Sequence, residues 1–227
     1  EQQPCKCGSG QWDSTDQGCS GNDMKGDSME KSYNECYICG IVLNEPEHYL
    51  TINGEDFFRT LVSVKRKSGA VDVVPVRVSQ RADGFPNMKQ GEYLYIEGTV
   101  RSFNNKQNEK MHLEIYLFAE YIYPVDEKDT DGYVINSFEF DGTICKPPVG
   151  RVLIGNGDMK YIADVLVAVS GTKRSFYLPC IVFGRNGRYL SSLKVGTKLK
   201  LRGRFQSRNY MAEADPSNEV KTAYEIA

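Results

Sequence analysis

Apolar residues recur at every second position through a series of short runs, separated by Gly, Asn, Pro and charged residues. The runs LVSVKRKSGAVDVVPV (61–76), GEYLYIEGTV (91–100), VLVAVSGTKRSFYLPCIV (165–182) and GTKLKLRGRF (196–205) are rich in Val, Ile, Tyr and Phe. Their period of two predicts half-buried β-strands. Asn53-Gly54 and Asn156-Gly157 each mark a two-residue hairpin turn, because both residue types tolerate positive φ. GRNGRYLSSL (184–193) is the one short helix candidate; its counterpart SQRADGFPNM (79–88) is too broken by Gly and Pro. Residues 1–32 have no periodicity and are rich in Gly, Ser, Asp and Gln, which predicts a disordered leader.

The pattern occurs twice. Asn34-x5-Gly40 recurs as Asn136-x5-Gly142, each followed six residues later by Pro46 or Pro148. Pro75 is answered by Pro179, Gly91 by Gly196 and Gly98 by Gly203, and the offset drifts only from 102 to 105 residues. Matched anchors in order argue for duplication of a unit of about 100 residues. A basic hairpin loop, KRKSG in the first copy and SGTKR in the second, separates two strands of each unit. Five or so strands with glycines inside them fit a small, strongly curved barrel. The expected organisation is a leader over 1–32, a first barrel over 33–125 and a second over 133–227, joined by the acidic stretch YPVDEKDTDG (123–132).

The net charge of −2 conceals an asymmetry. Residues 33–132 carry −5 and residues 133–227 carry +6, so the second half is the one suited to a polyanion, unless the two halves merely complement each other. No run approaches 18 consecutive apolar residues, so no membrane helix is expected. The seven cysteines are irregularly spaced. Cys36 and Cys39 form a CxxC inside a strand-like run, where odd spacing sends them to opposite faces, and no His completes a zinc pattern. Buried or free thiols in a reducing cytoplasm are the better reading. Only two histidines are present, His48 and His112, without a nucleophile context, and there is no phosphate-cradling Gly-Lys-Ser/Thr or H-E-x-x-H motif. No enzymatic activity and no cofactor are expected.

The run GRFQSRNY (203–210) places Arg204, Gln206, Arg208 and Tyr210 on one strand face and Phe205 on the other. Two guanidiniums, an amide and a phenol suit phosphates and flat bases; the plain alternative is the solvated face of a barrel strand. From Asn136 through FYLPCIVFGRNGRYLSSLKVGTKLKLRGRFQSRNY to the closing TAYEIA, the sequence resembles the OB-fold of bacterial single-stranded DNA-binding proteins. The likeness is weaker over 34–122, and two such folds in one chain resemble the tandem members of that family. The resemblance implies an all-β chain of two tandem five-stranded Greek-key barrels with a short helix, assembling as a homodimer that supplies four OB-folds.

Carried over by position, the family's base-stacking aromatics are Tyr177, Phe183 and Tyr210, with Arg204 and Arg208 on phosphates. Lys65, Arg66, Lys67, Lys173 and Arg174 in the basic loops and Arg185 and Arg188 in the helical connection are further phosphate candidates. In the first copy the matching positions are Val73, Ser79 and Asn105, none aromatic. Phe103 compensates there, sharing a face with Arg101, and Phe57 is a weaker candidate. The second barrel is therefore expected to bind strand strongly, and the first weakly or in assembly. The family commonly ends in an acidic tail that recruits replication and repair proteins, whereas this chain stops at Ala227 in the last strand. The expected function is sequence-independent, cytoplasmic single-stranded DNA binding in replication, recombination or repair. Alternatives are a primosome-like adaptor that binds protein, or a single-stranded RNA-binding OB protein.

Overall fold

The computed structural model describes residues 33–107, 110–126, 134–155, 158–172, 174–211 and 220–227. The expected leader, the middle of the acidic joint, the Asn156-Gly157 turn and Lys173 lie outside them. Six strands form the first half: β1 (Asn34–Val42), β2 (Glu47–Ile52), β3 (Glu55–Lys65), β4 (Val71–Asp83), β5 (Tyr93–Gln107) and β6 (Lys110–Pro124). The second half has β7 (Asn136–Ile144), β8 (Val149–Gly155), β9 (Asp158–Ser170), β10 (Ser175–Phe183), helix α1 (Gly184–Ser191), β11 (Lys198–Gly203), β12 (Phe205–Met211) and β13 (Val220–Ile226).

Each half closes on itself in the same way. β1 pairs antiparallel with β3 and β5, β3 with β4 and β5 with β6, and the parallel pair β4–β6 completes the circuit. In the second half β7 pairs with β9 and β11, β9 with β10 and β12 with β13, and the parallel pair β10–β13 closes the ring. This is the Greek-key circuit of the OB-fold. Two features go beyond the five-strand pattern. β2 and β8 are additional hairpin partners of β3 and β9. The second copy's fourth strand is also broken at Arg204, which exchanges backbone hydrogen bonds with Ala227 (2.7 and 3.0 Å) as the strand transfers from β7 to β13.

The repeated anchors acquire physical reasons. Asn34 and Asn136 complete the barrels with side-chain amides that mimic a backbone pair. Asn34 Nδ2 donates to the Val100 carbonyl at 2.9 Å and its Oδ1 accepts from the Val100 N–H at 3.1 Å. Asn136 does the same with Phe205, both bonds at 2.9 Å. Gly98 and Gly203 sit where another strand crosses too closely for a side chain. A Cβ there would lie 2.0 Å from the Phe118 carbonyl oxygen, or 2.2 Å from that of Ala227. At Asn53-Gly54 both residues have positive φ, 50° and 75°, as the hairpin reading requires. The helix is shorter than the sequence suggests, and its first-copy counterpart is a single 3-10 turn at Phe85–Asn87 with proline near its start.

Alternation sends Ile38, Val62, Val74, Val76, Leu94, Ile96 and Leu117 into the first interior and Phe140, Val167, Leu178, Phe205 and Ile226 into the second. Cys36 is in the core, while Cys39 lies buried on the other side of β1, paired across the ladder with Tyr95. The halves are joined by two ties. β1 and β7 pair antiparallel from Asn34↔Phe140 to Ile38↔Asn136, so that β5, β1, β7 and β11 form one continuous sheet. The second tie is made by side chains: Ser207 on β12 donates its N–H to Asp72 Oδ1 on β4 at 2.9 Å, and its Oγ accepts the Val73 N–H at 2.8 Å.

Candidate nucleic-acid interface

Along β10, Phe176, Leu178 and Cys180 point inward, so Tyr177 and Phe183 are left on the outer face, 51% and 46% exposed. Six positions apart on a strand, they are about 20 Å from each other. Large aromatic side chains left open to water forgo burial worth about 1.5–3 kcal/mol each. Phe183 borders a groove formed where β10 turns into α1, lined by Met159, Lys160, Tyr161, Gly184, Arg185 and Arg188. The Arg188 guanidinium stands 5.5 Å above the Tyr161 ring, and the Tyr161 hydroxyl donates to Ser191 Oγ at 2.9 Å, which fixes the ring. The groove offers flat apolar surface beside cations. Lys160 and Tyr161 were not among the sequence candidates; their place on the hairpin strand opposite Phe183 was the available signal.

On β12 and the residue before it the parity holds: Phe205 is buried, while Arg204 and Arg208 are exposed. Arg208 is not a free cation, because its Nε donates to Glu225 Oε1 at 2.7 Å on the neighbouring β13. Arg204 Nη2 donates to the Gln206 side-chain oxygen at 3.3 Å. The Tyr210 backbone pairs with Lys221; its side chain lies outside the description.

In the basic hairpin loop of the first barrel, Arg66 has an internal partner. Its guanidinium grips the fully buried Asp72 through Nε at 2.6 Å and through Nη2, and this hydrogen bonding holds the Arg66 pKa above its ordinary value. The same carboxylate receives Ser207, so Arg66 is committed to the tie between the halves. Lys67 is exposed, and Lys65 lies at the end of β3.

Around Phe103, Arg101 and Phe57, the first barrel's outer surface gathers further rings that the sequence did not single out. Arg77 on β4 lies over the rings of Tyr116 at 4.0 Å, Tyr49 at 5.0 Å and Phe103 at 5.7 Å, and pairs with Glu114. Arg101 lies 3.7 Å over Phe118, which is 6.3 Å from Phe57. Burial depresses the Arg101 pKa, and Thr99 and Glu120 hold its guanidinium at 2.9 and 3.5 Å. Phe103 is 40% exposed. Arg174, from the second barrel, is 5.9 Å from the Phe103 ring and 5.6 Å from Phe176. The overlooked signal was the alternation of β6, where Ile115 and Leu117 point in and Tyr116 and Phe118 share the opposite face.

No helix among the described residues is long and apolar enough to cross a membrane. No family model matches the chain, and no curated protein does. Among solved structures, the wild-type single-stranded DNA binding protein of Thermus aquaticus matches with a TM-score of 0.64 at 17% identity, covering 78% of this chain and 87% of that one. A deletion variant of the same protein matches at 0.61 and 21%, covering 79% and 89%. The N-terminal domain of PriB from Thermoanaerobacter tencongensis is 32% identical over 41% of this chain and 98% of its own, with a TM-score of 0.36. With all but a small part of its length covered, the Thermus aquaticus protein shares its OB-fold architecture with this chain.

Proposed function

We propose that this chain is a non-enzymatic protein that binds single-stranded DNA with little regard to sequence, in replication, recombination or repair. The observation that carries this reading is the exposure of Tyr177 and Phe183 on one outer face of β10, with Phe183 opening onto the Arg185/Arg188 groove. Stacking of a base on an aromatic ring is worth about 1–3 kcal/mol and tolerates any base, and neighbouring cations take the phosphates. The fold shared with the Thermus aquaticus protein supports the same reading. Arg204, just before β12, and Arg208, on β12 and separated from β10 by β13, are secondary phosphate contacts, with Arg208 released from Glu225 on binding. A homodimer supplying four barrels fits the outer face of the β5–β1–β7–β11 sheet. Tyr37 stacks there on Tyr95 at 6.4 Å, and Tyr123 follows at 6.3 Å, a tyrosine-rich surface of the kind enriched in interfaces.

The test is a fluorescence titration of a labelled dT oligonucleotide, with an rU oligonucleotide beside it, at low and high salt. Binding that weakens with salt, and by about five-fold or more in Tyr177→Ala, is expected. Absence of binding at low salt, or a preference for rU, overturns the proposal.

A further inference from the structure

The first barrel has no aromatic residue at the positions that match Tyr177, Phe183 and Tyr210, yet the junction between the barrels presents an open ring and an unneutralised cation together. Arg77 is the fixed part. Its side chain is only 13% exposed, it is enclosed by Tyr49, Tyr116 and Phe103, and Glu114 holds it while also accepting from Asn105 Nδ2 at 2.9 Å. A guanidinium so held positions the Phe103 ring rather than meeting a ligand itself. Phe103 nevertheless keeps 40% of its surface in water. Beside it stands Arg174, exposed, belonging to the other barrel and without an ion pair among the described residues.

A ring from one barrel and a free cation from the other suit one nucleotide, the base on the ring and its phosphate at the guanidinium. Building on the strand-binding reading above, we infer that Phe103 and Arg174 form a base-stacking subsite at the junction, through which one DNA strand passes from the second barrel to the first within a single chain. The first barrel thus takes part in binding through β5 and its neighbours rather than through the positions used by the second.

The full chain and its Phe103→Leu, Arg174→Gln and Tyr177→Ala variants are compared by titration with labelled dT oligonucleotide, thermal midpoints confirming that each is folded. Phe103→Leu keeps apolar volume and removes the stacking face, so affinity falls about five-fold or more. Arg174→Gln lowers the slope of log affinity against log salt by about 0.7. A 5-bromouracil oligonucleotide, irradiated in complex, cross-links to the peptide that holds Phe103. If Tyr177→Ala weakens binding while Phe103→Leu and Arg174→Gln bind like wild type and no cross-link reaches β5, the subsite is overturned and the general function stands. If wild type binds no dT at low salt, both fall. Should Phe103→Leu fail to fold, the Arg174→Gln slope and the cross-link decide alone.

Discussion

Asp72 is a fully buried carboxylate that links β4 to β12, and replacing it tests how the two barrels are held together. It is fully buried and receives three hydrogen bonds: Arg66 Nε at 2.6 Å, Arg66 Nη2, and the Ser207 N–H at 2.9 Å. In Asp72→Ala the Ser207 N–H loses its acceptor, a cost of about 1–3 kcal/mol for a buried donor. Removing one partner of a buried ion pair costs about 3–5 kcal/mol when the other charge stays trapped. Arg66 keeps 24% of its side chain in water and can swing outward, so its share is well below that range. The two contributions together come to about 3 kcal/mol. For a domain of this size that lowers the thermal midpoint by roughly 6–12 °C.

Two companion variants separate the parts. Asp72→Asn keeps an acceptor for Ser207 but turns an amide donor toward Arg66, so it falls between wild type and Asp72→Ala. Ser207→Ala removes only the Val73 N–H···Oγ bond of 2.8 Å and costs about 1 kcal/mol. Denaturant titration with all three variants gives the comparison. A loss below about 1 kcal/mol in Asp72→Ala would refute the reasoning, since the Ser207 donor alone requires more. Equal losses in Asp72→Asn and Asp72→Ala would show that β12 does not depend on the carboxylate oxygen.

Asn136→Ala leaves the N–H and carbonyl of the buried Phe205 without partners and is expected to cost about 2–4 kcal/mol, with Asn34→Ala costing a similar amount at Val100; urea midpoints check both. Burial pushes the Cys180 thiol up to about 12 and Cys36 higher still, so neither is alkylated at pH 8 in the native state, as intact mass with and without denaturant will show. Because both thiols ionise near 9 once unfolded but stay protonated in the fold, stability is complete below that value and declines as pH rises above it, which thermal midpoints between pH 8 and 10 measure.

What could be read from the sequence was whatever alternation and repetition encode. The strands, their alternating faces and the buried Phe205 follow from a period of two, which depends on neighbouring residues alone. The same period puts Tyr177 and Phe183 on one face, but the resemblance is what singled them out as outward stacking residues. The Asn34 and Asn136 anchors were visible as a repeat, but their purpose needed the strand that crosses them more than 60 residues later. That Arg66 and Arg208, both phosphate candidates, are each engaged by a carboxylate was not legible for a related reason. The carboxylates that occupy them, Asp72 and Glu225, are identified only by hairpin and ladder register. Of the first barrel's aromatic surface only Phe103 and Phe57 were legible; Tyr49, Tyr116 and Phe118 join them from β2 and β6, which pairing between strands brings together.

The duplicated grooves explain why the two barrels should meet a strand differently. In the second barrel the groove is lined by Met159, Lys160, Tyr161, Phe183, Arg185 and Arg188. The corresponding groove of the first has Ser79 in place of Phe183 and Arg81 in place of Arg185, with Glu55, Asp83 and Glu120 also lining it. The remaining cation is held 3.5 Å from Glu55, which also accepts the Ser79 hydroxyl. A phosphate entering there would meet Asp83 and the paired Glu55 and Glu120, a less favourable surface than the Lys160, Arg185 and Arg188 of the second groove. On the proposed reading, a strand leaving the second barrel would be turned away from the equivalent path. On the adjoining surface of the first barrel, Phe103 is open and Arg174 reaches across to it. On the proposed reading, the acidic groove and the aromatic surface beside it are complementary: the first copy has the same barrel as the second but offers a base its stacking surface in a different place.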